Sequence, residues 1–341
     1  VIKMNLSKKI SFGRQILLLI LLVAIVFLSS CSKKPQNEKV YQVGILSGLD
    51  YMANTADGFK AKMSELGYIE GENIVYDHQK TDFDIATYKS ILRKFVADKV
   101  DLIFVFPTEA SLETKAATQG TSIPVVFAVA NIEDTGLVNS VREPGGNITG
   151  VRYPGPDLAI KRFEIMRELA PNAKRMWIPY QRGYPIVTSQ LKALQPAAAS
   201  ADITLIEFPA DNAAEVQAEL SKRAESGEIG MDAILFIAEP LAVTPDAFEV
   251  MGKFAAEHKL PIGGAYMMVG GYGSIFGVNI DTSATGMQAA VLADKVLRGT
   301  PAGTIPVVSS ESFFQINYKV AQELGVKVPE GLLSRADEII R

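Results

Sequence analysis

Residues 100–129 read V-D-L-I-F-V-F-P-T-E-A-S-L-E-T-K-A-A-T-Q-G-T-S-I-P-V-V-F-A-V, and this stretch decides the fold. Val100 to Phe106 is apolar except for Asp101 near its start, and Pro124 to Val129 is a second apolar run. A strand with one wet face alternates apolar and polar residues. A run that is apolar throughout is covered on both faces, as in a parallel sheet packed between two layers of helices. Between the two runs lies a helix opening at Thr108. Strand, helix, strand in this order is a βαβ unit.

The same pattern extends in both directions. Toward the amino terminus, Val43-Gly44-Ile45-Leu46 predicts a strand, and Phe59, Met63 and Leu66 mark a helix over 56–66 with Gly67 placed for a left-handed cap. Ile74-Val75-Tyr76 is a further strand, and Tyr88, Ile91, Leu92, Phe95 and Val96 share one helical face. After Gly150 a second series begins. Helices are expected over 157–169, 186–201, 212–226 and 246–257, and strands over 176–178, 203–208, 233–237, 261–262 and 274–278. A last helix spans 285–297, with an extended segment at 306–308. Two βαβ series in tandem predict an α/β protein of two doubly wound parallel-sheet lobes. The chain is expected to cross between them near 151–154, 278–281 and 306–309, which makes a three-segment hinge over a cleft. The expected division is 40–152 with 282–306 for the first lobe, and 153–281 with 307–341 for the second.

The first forty residues are of another kind. Lys3, Lys8, Lys9 and Arg14 precede an apolar run from Ile16 to Leu28, followed by Ser29, Ser30 and Cys31. The run is shorter than the ~18 to 20 residues of a membrane-spanning helix, and its outline is that of a secretory signal peptide over 1–30. Leu28-Ser29-Ser30-Cys31 resembles a bacterial lipobox, which implies cleavage before Cys31 and lipid attachment there. Residues 31–39, with Pro35 and no periodic apolar positions, form a tether. Cys31 is the sole cysteine of the 341-residue chain, so the folded part has no disulfide and draws its stability from its core. Beyond the leader, 30 basic residues face 38 acidic ones, a balance that argues against a nucleic-acid surface.

Longer motifs carry a family resemblance. Residues 58–74 read G-F-K-A-K-M-S-E-L-G-Y-I-E-G-E-N-I, and residues 136–151 read G-L-V-N-S-V-R-E-P-G-G-N-I-T-G-V. Val100-Asp101-Leu102-Ile103 leading to Thr108, Ala117-Thr118 before Ile123-Pro124-Val125, and Ile316-Asn317 to Gly325 with Val328-Pro329 follow in order. Together they resemble the ABC-transporter substrate-binding proteins of the group that includes tryptophan- and phenylalanine-binding lipoproteins, over nearly the whole chain from Val40. The resemblance implies the type I periplasmic-binding-protein fold and delivery of a small molecule, often an amino acid, to ABC permease subunits. It also implies an extracytoplasmic location with a lipid anchor to the membrane, and the protein is expected to act as a monomer. Three loops depart from the family pattern. Ser47-Gly48-Leu49-Asp50-Tyr51 stands where many relatives have His-Pro, Asn131-Ile132 where many have Asp-Pro, and Gly277-Val278-Asn279 replaces Ser-Tyr-Gly, although Asp281 matches.

In open parallel sheets ligands sit beyond the carboxyl ends of the strands. That rule selects Ser47 and Asp50, Thr108 to Ser111, Asn131, and in the second lobe Tyr180, Gln181, Glu239 and Tyr266. The backbone N–H groups of Thr108, Glu109, Ala110 and Ser111 at a helix start suit an anionic group, with the Thr108 hydroxyl as an added donor, unless Thr108 simply caps its own helix. An ammonium group needs an acid, and Glu109, Glu239 and Asp281 are the candidates. Tyr51, Tyr153, Tyr180, Tyr184 and Tyr266 offer faces for a planar ligand, or pack within the fold. An aromatic amino acid leads, followed by another amino acid or small carboxylate, then a sugar or nucleoside.

Catalysis has less support. There is no P-loop lysine and no dinucleotide fingerprint. His78 and His258 are the only histidines and lie far apart in sequence, so no metal, cofactor or catalytic triad is expected. Two rivals remain: a lipoprotein sensor presenting its ligand to a membrane signalling partner, and a cell-envelope hydrolase using paired carboxylates. A transcription factor of related fold lacks support, because the leader is an export signal and no helix-turn-helix precedes Val40.

Overall fold

The computed structural model describes residues 39–48, 52–81 and 84–341. The expected signal peptide, Cys31 and most of the tether lie outside these residues, as do Asp50 and Tyr51. The first series runs β1 (Tyr41–Ser47), α1 (Asn54–Glu65), β2 (Ile74–Lys80), α2 (Ile85–Ala97), β3 (Leu102–Phe106), α3 (Thr108–Ala117), β4 (Val125–Ala130) and β5 (Ile148–Arg152). The second runs α4 (Gly155–Leu169), β6 (Arg175–Gln181), α5 (Val187–Ser200), β7 (Thr204–Ala210), α6 (Ala213–Glu225), β8 (Ala233–Leu235), α7 (Pro245–His258) and β9 (Ile262–Gly264). It continues through a hairpin, β10 (Met268–Val269) and β11 (Tyr272–Gly273), into β12 (Phe276–Ile280). Then come α8 (Thr282–Leu297), β13 (Val308–Ser309), β14 (Ser312–Asn317), α9 (Tyr318–Leu324), α10 (Glu330–Leu333) and β15 (Glu338–Ile340).

Apart from the two-stranded β10-β11 hairpin, these strands form two sheets, in the orders β13-β5-β4-β3-β1-β2 and β15-β14-β12-β9-β8-β6-β7. The apolar runs that predicted central strands are central: every residue of β3 and β4 is buried. β3 pairs in parallel with β1 on one side and β4 on the other. Helices cover both faces of the first sheet. Phe59 of α1 stacks on Phe104 of β3 with centroids 4.0 Å apart, while Tyr88, Leu92 and Phe95 of α2 bury against the opposite face with Ile103 and Val105. The second sheet has its own core around Trp177, Phe163, Phe236 and Phe248. At about 25 cal/mol per Å² of apolar surface removed from water, such cores are the main stabilising term in a protein without disulfides.

The chain passes between the sheets three times: from β5 into α4, from β12 into α8, and from β13 into β14. α8 packs on α1 at a glycine contact. A Cβ on Gly58 would lie 2.1 Å from the Ser283 carbonyl oxygen, and one on Gly286 would lie 2.0 Å from that of Thr55, so only glycine lets these helices approach so closely. The boundary expected after residue 306 falls short of the third crossing. Val308 and Ser309 pair with Val151 and Arg152 of β5, so the chain leaves the first sheet only after Ser309. Arg152 ties two crossings together, donating from Nε to Ser309 Oγ at 2.8 Å and from Nη2 to Asp157 at the start of α4 at 2.7 Å, with Glu133 as a third partner.

The last segment departs from the parallel pattern. β14 runs antiparallel to β12, and β15 adds to the edge in parallel with β14. Among the described residues no helix is long and apolar enough to cross a membrane.

Candidate functional site

Both sheets point carboxyl ends toward one cavity of about 250 Å³. From the first lobe, β3 delivers Pro107 and Thr108, β4 delivers Val129 and Asn131, and β5 delivers Tyr153. From the second, β8 delivers Ile237, Ala238 and Glu239, and β12 delivers Asn279 and Ile280, with Arg162 from α4 and Tyr184 and Ile186 from the loop before α5. The site thus follows the rule for open parallel sheets, applied to two sheets that face one another.

Local geometry explains how the first wall is shaped. The pairing of β4 with β5 slips between Ala128 and Ala130, and Val129 between them holds φ at 51°. Positive φ is a costly conformation for a β-branched residue. Here it goes with a bulge at the cavity edge. The Asn131 backbone N–H then donates to Thr108 Oγ1 at 3.0 Å, which joins the ends of β3 and β4. Thr108 therefore uses its oxygen within the wall, leaving its hydroxyl proton for another acceptor. The fully buried Asn131 amide lies 3.3 Å from Ser189 Oγ of α5, a contact from lobe to lobe. Turned over, that amide also donates to the Tyr153 carbonyl at 3.2 Å and to Glu133 at 3.3 Å, and its oxygen then faces Ser189.

The second wall holds the charges. Glu239 is 7% exposed, and its carboxylate accepts the backbone N–H groups of Gln181 at 2.7 Å, Leu241 at 2.8 Å and Ala242 at 2.6 Å. Burial raises its pKa, while these three bonds and the charge of Arg162 work in the opposite direction. Arg162 is 2% exposed and donates to the carbonyls of Val278, from Nε at 3.0 Å and Nη2 at 2.7 Å, and of Phe236, from Nη1 at 3.4 Å. Nη2 also donates to Asn279 Oδ1 at 3.3 Å.

Of the residues expected from sequence, Thr108, Asn131, Tyr153, Tyr184 and Glu239 line the cavity. The other described candidates sit elsewhere. Ser111 donates its hydroxyl to the Pro107 carbonyl at 2.6 Å inside its own helix, and Ala110 is buried in the core. Ser47 is buried at the end of β1, outside the lining. Asp281 caps α8, accepting the Ala284 N–H at 2.9 Å. Tyr180 lines a separate surface hollow beside Glu207, and Gln181 contributes its backbone to Glu239. Tyr266 lies outside the lining, its backbone nitrogen 2.3 Å from where a Cβ on Gly277 would stand. Glu109 is outside the lining too. Neither of its carboxylate oxygens has a hydrogen-bond partner in good geometry, and burial raises its pKa, the Tyr184 side chain partly opposing the shift.

Sequence reasoning missed Arg162, although a signal was present. It falls on the apolar stripe of α4 with Leu158, Ala159, Phe163 and Met166, all buried, and a cation in such a stripe needs a partner below the helix. Among the described residues no group of three His, Cys, Asp or Glu side chains is placed to hold a metal ion.

The family defined as ABC transporter substrate binding protein matches residues 42–340. The chain belongs to this family. Such substrate-binding proteins bind a small molecule outside the cytoplasm and engage an ABC permease. Among relatives of this substrate-binding protein, the tyrosine-binding protein of Clostridioides difficile (strain R20291) is 29% identical over 285 residues, covering 82% of this chain and 79% of the relative. A conserved domain protein of Vibrio cholerae shares its fold with a TM-score of 0.73 at 26% identity, covering 88% of this chain and 100% of that one. An ABC domain from Streptococcus pneumonia, solved in complex with L-Trp, superposes with a TM-score of 0.71 at 24% identity, covering 87% of this chain and 100% of the other. The two-lobed architecture expected from the βαβ series is therefore that of the type I periplasmic binding proteins.

Proposed function

We propose that this substrate-binding protein is the lipid-anchored receptor of an ABC importer, and that it captures an amino acid, aromatic ones first, in the cavity between its lobes. The observation that carries the reading is that strand ends of two separate sheets line one cavity, so a ligand there touches both lobes at once. Contacts made to both lobes exist only when the cleft is closed, and binding therefore shifts the hinge equilibrium toward closure. A tyrosine-binding relative supports the choice of amino acid. The lining supports it too: apolar Val129, Ile237, Ala238 and Ile280 with Tyr153 and Tyr184 suit a side chain, and Thr108, Arg162 and Glu239 suit charged ends. The lipobox-like Leu28-Ser29-Ser30-Cys31 supports anchoring through Cys31.

A thermal-shift screen of the chain from Ser32 onward against amino acids, sugars and nucleosides tests this reading. A ligand present at a hundred times its Kd adds about 2.7 kcal/mol of stability, a shift of several degrees in Tm. Selective stabilisation by tyrosine, tryptophan or phenylalanine is the expected result. A response to sugars alone sinks the amino-acid reading, and a flat response to the whole panel sinks ligand capture.

A further inference from the structure

The cavity contains a positive charge that no carboxylate of the described residues pairs with directly. Arg162 is buried beneath the wall, and every acceptor it reaches is neutral: the carbonyls of Val278 and Phe236 and the side-chain oxygen of Asn279. Among the described residues no carboxylate lies within 4.0 Å of its guanidinium. Glu239 is the acid of the same wall, but its oxygens are already taken by three backbone N–H groups, so it is fixed in place rather than free to swing onto Arg162. A guanidinium carries five N–H donors, and the contacts to Val278, Asn279 and Phe236 use four of them. One Nη1 proton is left uncommitted on a residue that lines the cavity. Removing an ion from water is costly unless a counter-charge and hydrogen bonds replace the lost solvation. The carbonyls supply the hydrogen bonds, and the charge of Glu239 acts on Arg162 from the same wall, but no described carboxylate pairs with the guanidinium itself.

We propose that Arg162 is a specificity-determining residue that selects ligands bearing a carboxylate, the anion of the ligand completing the shell that the second lobe leaves open. This inference rests on the cavity being the ligand site. It assigns the discrimination to α4 of the second lobe and not to the helix start at Thr108 on the first. The same arrangement disfavours an amine without a carboxylate: it places like charge near Arg162, leaves the uncommitted Nη1 proton unpaired, and has only Glu239, already engaged by three backbone N–H groups, to offset this.

Titration calorimetry with matched ligands tests this. One set is L-tyrosine, tyramine, which lacks the carboxylate, and 3-(4-hydroxyphenyl)propionate, which lacks the ammonium; leucine, isoamylamine and 4-methylvalerate form a parallel set. The wild-type protein is expected to bind the amino acid at least about 100-fold more tightly than the amine, the scale of a buried charge-assisted hydrogen bond. In Arg162→Met this ratio collapses to within about tenfold, whereas Arg162→Lys keeps most of it. Each ratio is taken within one variant, so a smaller folded fraction cancels. An unchanged ratio in Arg162→Met means that Arg162 only braces β8 and β12, and it overturns the proposal. So does wild-type binding of tyramine as tight as that of tyrosine. Binding of a neutral sugar or nucleoside with no carboxylate bound overturns it while leaving solute capture intact. Silence from every compound removes the ligand-binding reading and this inference with it.

Discussion

Thr108, Asn131 and Tyr153 on the first lobe look across the cavity at Arg162, Glu239 and Asn279 on the second, and the two walls are built on different physical terms. The first is neutral. Its polar groups bond to one another and, through Asn131 and Ser189, to the opposite lobe. The second carries both charges that the described residues bring to the lining, and each is held by backbone groups of its own lobe. On the hinge opening proposed above, water replaces the cross-lobe contacts of the first wall at little cost, because neutral groups exchange partners readily. The charged wall keeps its hydrogen bonds whether the cleft is open or shut. Under the proposed mechanism one wall responds to closure, and the other supplies a fixed field to the ligand.

The largest expected effect breaks the fixed wall. Glu239→Ala strips the acceptor from two buried backbone N–H groups, of Leu241 and Ala242, and a part-buried one, of Gln181, at a cost of about 1 to 3 kcal/mol for each one that water cannot reach. A loss of about 3 kcal/mol or more in urea denaturation is expected, with or without ligand. Wild-type stability in this variant shows instead that water satisfies the turn after β8, and the contrast between the walls then fails.

A smaller effect sharpens the responsive wall. Ser189 lies outside the cavity lining yet meets the Asn131 amide from the other lobe at 3.3 Å. Ser189→Ala removes this contact, which exists only while the lobes touch, and is expected to cost about 1 kcal/mol of affinity, near fivefold in Kd. The loss falls equally on every ligand, because the residue acts on closure and not on recognition. Isothermal titration with two dissimilar ligands checks it: a loss confined to one of them places Ser189 in recognition.

The two walls also differ in how far the sequence reveals them. Apolar runs announced β3 and β4, and the strand-end rule led directly to Thr108 and Asn131, because a short loop after a buried strand leaves its first polar residue little choice of place. The second wall draws on longer-range packing. Arg162 comes from a helix and not from a strand end, and reads in sequence as one more charged residue beside Lys161 and Glu164. Glu239 was found as a strand-end acid, but that three backbone N–H groups would occupy it depends on the turn at 240–243 folding back over it. Asp281 looked equivalent and caps α8 instead, since an acid just before a helix is as well used by the helix as by a ligand. At the far edge, β13, β14 and β15 are short or antiparallel, so the alternation that identified the parallel core had no hold on them. The lobe boundary drawn after residue 306 consequently falls short, although Ser309 lies within the 306–309 crossing expected from sequence.

Glu109 gives the smallest effect and the most direct measure of what burial costs at the edge of the neutral wall. Its carboxylate is pushed toward the protonated form by loss of water, with the Tyr184 side chain as a partial counterweight. A carboxyl whose pKa is raised on folding binds its proton more tightly in the folded state. Its favourable contribution is then complete below the ordinary glutamate value of 4.5 and is lost as pH rises through the raised value. Glu109→Gln keeps the size of the side chain and removes the charge. The variant is therefore expected to match wild type near pH 4 and to exceed it in stability at pH 7, the gap opening between these limits. Ion-paired acids such as Asp77 and Asp232, whose pKa values are lowered by Lys94 and Arg175, impose the opposite slope on both proteins and cancel in the difference. Chemical denaturation of the pair across pH 4 to 8 reads the gap directly. A gap that is constant with pH, or that favours wild type at neutral pH, means that Glu109 keeps its charge solvated or paired on folding, and the neutral wall then has an acid at its edge after all.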